Sequence, residues 1–162
     1  MHTKYLVLIT AALALFGCST VDQSTTFDEA AFGPYASPGT AIIHGHAFAH
    51  TDDARIFVAA GLNVYLVPLT PYTDEMAKIM QRNKFPSPTD PRLEKYTKAT
   101  VADIAGNFEF DGLPAGSYVV YCRIQWARPR LNSFGDYYIA GEAVVAEKET
   151  KHLVVTNVIP FY

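Results

Sequence analysis

The sequence predicts an all-β protein carrying one short helical insertion. Three observations carry that expectation. Residues 100–121 (TVADIAGNFEFDGLPAGSYVVY) alternate apolar and polar side chains between two glycine-bearing turns. Ten Tyr and ten Phe, in a chain 49% apolar, favour strands over helices. One run, residues 74–82, has the composition and spacing of a helix, and it is short.

Residues 1–17 open with Lys4 and continue into the apolar run YLVLITAALALF, a secretory h-region too short to span a bilayer as a stable helix. Leu15-Phe16-Gly17-Cys18 resembles the bacterial lipobox. That resemblance implies cleavage before Cys18 and acylation of its sulfur and new amine. Three acyl chains exceed the two signals that make anchoring stable. The alternative is an ordinary signal peptide followed by an unrelated cysteine. Ser19 after the cysteine, where Asp would retain the protein at the inner membrane, implies the outer membrane. Residues 18–39, rich in Ser, Thr, Asp, Ala, Gly and Pro, read as the lipidated cysteine and a flexible tether with a little order near Phe27 to Phe32, and with an end-to-end reach of about 25 Å.

The domain is expected over residues 40–162. Residues 40–48 form the first strand, with Ile43, Gly45 and Ala47 on one face and Ile42, His44, His46 and Phe48 on the other. Residues 55–58 read as a short edge strand, and 62–67 as a strand with Leu62, Val64 and Leu66 inward. Residues 70–98 interrupt the sandwich. The run 74–82 is helical, with Thr73 as its N-cap and Met76, Ile79 and Met80 on one face. The three prolines of 85–91 exclude regular structure there. The insertion is expected to lie over one end of the sandwich, either capping an open sheet edge or serving function.

In the central stretch, Asp103 can accept a local backbone N–H and Gly106 can take positive φ, which makes a tight turn. Phe108 and Phe110 then alternate with Asn107 and Glu109. Gly112 breaks the strand and Leu113 anchors it. Pro114-Ala115-Gly116 turns again, and Tyr118, Val120 and Cys122 point inward. This strand extends to Trp126. Residues 127–136 read as a loop; 137–145 and 151–156 are the closing strands, separated by Glu147-Lys148-Glu149. The apolar tail 158–162 either folds back on the domain or meets a partner.

Asp103, Gly106, Phe108, Phe110, Leu113, Gly116, Tyr118 and Val120 match the pattern D-x-x-G-x-F-x-F-x-x-L-x-x-G-x-Y-x-V, which resembles the carboxypeptidase regulatory-like domain family. The likeness covers roughly residues 40–126 and includes Gly45-His46-Ala47-Phe48 and residues 61–68. It implies a transthyretin-like (prealbumin-like) Greek-key sandwich of seven or eight strands, usually an accessory or scaffolding module without catalysis, here like that of small bacterial envelope lipoproteins. The fold also hosts a hydroxyisourate hydrolase, whose C-terminal Tyr-Arg-Gly-Ser signature does not appear; this chain reads Pro160-Phe161-Tyr162.

Net charge is −3, and without Lys4 the 13 basic residues become 12 against 16 acidic, which argues against nucleic acid as a partner. Neither a G-x-S-x-G elbow nor a Gly-rich phosphate loop is present, so no catalytic residue or cofactor is assigned. Cys122 reads as a small buried hydrophobe. His44, His46 and His50 have a spacing that puts the first two on one strand face about 7 Å apart. They either share a metal ion, with Asp52 or His152 as a further ligand, or are ordinary half-exposed strand histidines. Trp126 and Tyr137, with Tyr138, Arg128 and Arg130 nearby, are the candidate glycan platform, because flat rings stack on sugars and Arg donates to hydroxyls. The alternative is that these rings fill the core. The expected function is a non-catalytic, membrane-anchored module that docks another envelope protein through residues 70–98, the 127–136 loop or a strand edge. Glycan or peptidoglycan binding is the alternative, and metal binding a further one.

Overall fold

The computed structural model describes residues 20–51, 54–82, 84–128 and 133–156. The signal segment, Cys18, Asp52, Arg130 and the tail 158–162 lie outside the described residues. In chain order the elements are β1 (Thr20–Asp22), α1 (Glu29–Phe32), β2 (Ala41–His50), β3 (Ile56–Val58), β4 (Asn63–Pro68), α2 (Pro71–Gln81) and β5 (Phe85–Ser87). After a 3-10 segment at Pro91–Tyr96 come β6 (Lys98–Val101), β7 (Asn107–Leu113), β8 (Gly116–Arg128), β9 (Ser133–Val145) and β10 (Thr150–Val155).

Eight of these strands make a sandwich of two four-stranded sheets. In the first, β2 is central, with β10 parallel on one side and β7 antiparallel on the other. β3 continues the β7 edge: Ala47 N–H donates to Gly106 O, and Ala47 O accepts from Ala59 N–H. A strand residue's N–H and C=O point to the same side, so β7 and β3 follow one another along one edge. The second sheet runs β6-β4-β8-β9, antiparallel throughout. Alternation sets the core. Tyr118, Val120, Cys122 and Ile124 of β8, each no more than 2% exposed, meet Ile43, Phe108, Phe110 and Leu113 from the other sheet.

The expected loop at 127–136 is corrected: β8 and β9 pair from Gly116↔Val145 to Arg128↔Ser133, so most of it is ladder. The helix also starts earlier than expected. Thr70, not Thr73, is the N-cap; Pro71 fills the first turn, where no N–H is needed, and Thr73 completes a capping box with Thr70. Met76, Ile79 and Met80 are buried as expected. They do not close an end or an edge. Together with Tyr72, Leu93 and Tyr96, Met76 and Met80 cover the outer face of the second sheet at Val67 and Val119, making a second core. The proline-rich run is corrected too, because Phe85–Ser87 pairs with β1 as a parallel ribbon. A two-stranded ribbon uses only one edge, where Pro86 can sit.

The segment read as a free tether is packed from Thr20 onward. Phe32 is fully buried between Phe27 (ring centroids 4.5 Å) and Tyr96 (4.8 Å). Tyr35 packs edge-on to Tyr118, and its hydroxyl accepts from Ser117 N–H at 3.2 Å. Gln23 donates to Tyr72 O at 2.6 Å, while Ser24 N–H and Thr25 N–H donate to the Glu75 carboxylate at 2.9 and 2.6 Å. Residues 20–39 are a strap across α2.

Hydrogen bonds from Thr25 and then Ser24 lower the Glu75 carboxyl from 4.5 to about 2. A carboxylate depressed in the folded state holds the strap fully above pH 4.5 and releases it as pH falls toward 2. Amide protection at Ser24 and Thr25 is therefore expected to fall over that window. Glu75→Gln is expected to lose the same protection at neutral pH, while protection in β8 is unchanged.

Candidate functional site

The turn that opens β7 builds one corner of the site. Asp103 Oδ1 accepts from Ala105 N–H and Asn107 N–H, each at 2.8 Å, and Oδ2 accepts from Asn107 Nδ2 at 3.0 Å. The Asn107 side chain first, then its N–H, holds the Asp103 carboxyl below its usual range. Gly106 takes φ +85°, and a Cβ there would lie 2.8 Å from Ala47 O, so the turn closes directly on β2. The second turn ends at Gly116, where a Cβ would lie 2.6 Å from the Tyr35 ring; Tyr118 OH donates to Pro114 O at 2.8 Å. Phe108, Phe110 and Leu113 are all buried. Every signature position thus has a structural task, and the Asp103 turn also fixes Asn107, the register partner of His46 on β2.

The expected aromatic platform is not on the surface. Trp126 is 4% exposed, stacked on Phe57 at 5.6 Å and against Tyr137 at 5.1 Å inside the core. No sugar ring can reach its face. Tyr138 lies on the opposite side of β9, under the Arg123 guanidinium at 5.4 Å and edge-on to Phe85. The side chains of Arg128 and Arg130 lie outside the described residues. The residues read as one platform are divided between two faces of the sheet.

The histidines do come together, with different company. His44, His46, Phe48 and His50 share the outer face of β2. His46 meets Phe48 at 5.1 Å and Phe48 meets His50 at 5.4 Å. β10 pairs in register with β2, and His152 stacks on His44 at 5.6 Å with planes 21° apart. On the other side Glu109 is the register partner of His44, with Oε2 3.2 Å from His44 Nδ1. His46 Nε2 lies 2.8 Å from Ala105 O. A carbonyl only accepts, so Nε2 carries the proton and Nδ1 of the neutral ring is an acceptor; by the same logic His44 donates through Nδ1. The expected three-ligand metal site is corrected. His50 is separated from His46 by the Phe48 ring, and among the described residues no three His, Cys, Asp or Glu side chains converge to hold a metal ion.

A shallow depression of about 520 Å³ lies on this face, lined by His44, Gly45, His46, Asn107, His152 and Val154 among others. Alternation along β2 places His44, His46 and Phe48 together from sequence alone. The neighbours Asn107, Glu109 and His152 depend on strand pairing, for which the sequence carries no local signal. Cys122, by contrast, is fully buried on the core side, and burial pushes its thiol up to about 11, out of reach of nucleophilic chemistry.

No protein-family model and no curated protein matches this sequence. Among solved structures, the chain is similar to a "putative carbohydrate binding protein" of Pseudomonas aeruginosa, at 19% sequence identity and a TM-score of 0.70. The match covers 82% of this chain and 98% of that one. At such identity the likeness is one of fold.

Proposed function

We propose that this chain is a non-catalytic, lipid-anchored binding module of the bacterial outer membrane, built on a transthyretin-like Greek-key sandwich, and that its ligand is a carbohydrate held on the outer face of the first sheet. One observation carries the ligand class: the rings of His44, His46, Phe48, His50 and His152 lie on one flat face beside Asn107 and Glu109. The six steps of strand from His44 to His50 extend about 20 Å, the scale of an oligosaccharide. Pyranose rings offer C–H faces to planar side chains and a rim of hydroxyls that both donate and accept. Imidazoles with one nitrogen donating to the protein keep the other as acceptor, and Asn107 adds an amide. The description of the Pseudomonas aeruginosa protein agrees with this ligand class.

The non-catalytic part rests on where the perturbed carboxylates sit. Glu75, Asp90, Asp103 and Glu147 are all depressed by hydrogen bonds that cap, turn or strap the backbone. A protein partner is the second reading, favoured by β6, which ends its sheet with Val101 60% exposed and Ile104 just beyond at 93%.

Co-sedimentation with peptidoglycan sacculi and binding to immobilised envelope polysaccharides test the proposal. The wild-type protein is expected to bind one of these polymers, and the His44→Ala/His46→Ala variant to bind about tenfold or more weakly, having lost two hydrogen-bonding planar groups. No binding by the wild type, or equal binding by a folded variant, overturns the carbohydrate reading. Crosslinking through Val101 to a defined envelope protein would then select the second.

A further inference from the structure

We infer that the β1–β5 ribbon lies at the bilayer, with Phe85 in the interfacial layer and Arg82 and Lys84 beside the lipid phosphates. This rests on the lipid-anchored reading of Cys18. Ser19 alone separates Cys18 from Thr20, so even a fully extended chain places β1 within about 7 Å of the Cys18 backbone. β1 has no slack to spend. It is paired with β5 in the register Thr20↔Phe85, Val21↔Pro86 and Asp22↔Ser87, and the residues that follow it are bound to α2 through Tyr72 and Glu75. A lipid at Cys18 would therefore fix which side of the domain meets the membrane.

That side has the chemistry of an interface. Phe85 is 51% exposed and shares its face of the ribbon with its register partner Thr20; it abuts Tyr138, whose ring lies under Arg123. Exposed Arg82 and half-buried Lys84 precede Phe85 in the chain. Asp22 is the acidic residue within the ribbon, and Asp136 is paired with Arg123 at 2.5 Å. An aromatic tip flanked by cations suits the headgroup region, where rings settle and Arg or Lys meet phosphate. Among the described residues no helix is long and apolar enough to cross the membrane, so the contact is superficial. The histidine face lies on the outer side of the other sheet, directed away from the lipid.

A spin label at Phe85→Cys in the full lipidated chain tests this, with Val154→Cys on the other sheet as reference. The protein is placed in vesicles of phosphatidylethanolamine and phosphatidylglycerol. Cys122 is buried and stays unlabelled. The label at 85 is expected to collide more with oxygen than with a water-soluble nickel chelate, and the label at 154 the reverse. Palmitate uptake with the label at 85 as water-exposed as that at 154 overturns the inference and leaves the anchor standing. If the wild type takes up no more palmitate than Cys18→Ser, the anchor reading falls and the inference with it.

Discussion

Trp126→Ala is expected to destabilise the domain by about 3–5 kcal/mol, the range for removing a large aromatic from a core. Trp126 stacks on Phe57 from β3 and on Tyr137 from β9, so it joins the two sheets at the end where β8 and β9 make their hairpin. Truncation leaves a cavity bounded by two rings that belong to different strands and cannot both move into it. Urea unfolding checks this: the midpoint should fall while the slope is unchanged, because the surface exposed on unfolding is nearly the same. Trp126→Phe keeps a ring in the stack and is expected to cost clearly less. The binding consequence separates two accounts of this residue. The proposed carbohydrate face is on the outer side of the first sheet, so Trp126→Ala that remains folded should bind polysaccharide as the wild type does. A stable variant that has lost binding would return Trp126 to the role of platform.

The alternation that puts Tyr118, Val120 and Cys122 inward continues through Ile124 to Trp126, so its burial was legible in the strand period. What suggested a platform was residue type, and in an all-β core residue type is a weaker guide than phase. The two turns around Phe108 and Phe110 were legible because Asp, Gly and Pro act locally on their own backbone. The strap was not. Averaged over residues 19–39, Ser, Thr, Asp, Gly and Pro outweigh Phe27, Phe32 and Tyr35, yet those three rings are the anchors, and their pockets are made by α2 and by the second turn. The helix cap moved because Thr70 and Thr73 are both competent, and only the bond that the Thr73 hydroxyl donates to Pro68 O and the proline at 71 decide between them. His152 was legible only as one possible neighbour of His44 and His46, because parallel pairing joins strands a hundred residues apart and depends on the whole topology.

Gly45→Val is expected to be about as severe as losing Trp126, by the opposite mechanism. Gly45 is in the middle of β2, opposite Phe108, whose ring lies over it: a Cβ on Gly45 would sit 2.0 Å from Cζ and 2.5 Å from both Cε atoms of that ring. Valine suits a strand better than glycine, which favours the variant by about 0.5–1 kcal/mol. Against that gain, overpacking costs typically about 1–3 kcal/mol, and a Phe108 ring driven from its buried place forfeits about 1.5–3 kcal/mol of burial. The steric loss wins, for a net cost of about 2–5 kcal/mol. Because one contact is responsible, the cost should not be additive. Phe108→Ala makes room for the valine, so the double variant is expected to be more stable than the two separate losses would give, by about 1 kcal/mol or more in a double-mutant cycle. Additive losses would mean that the ring does not rest on Gly45. The same substitution reaches the binding face, because His44 and His46 flank Gly45 and the depression is lined by all three. At temperatures where the Gly45→Val variant is still folded, polysaccharide affinity should fall with the displaced strand, whereas Trp126→Ala should leave it alone.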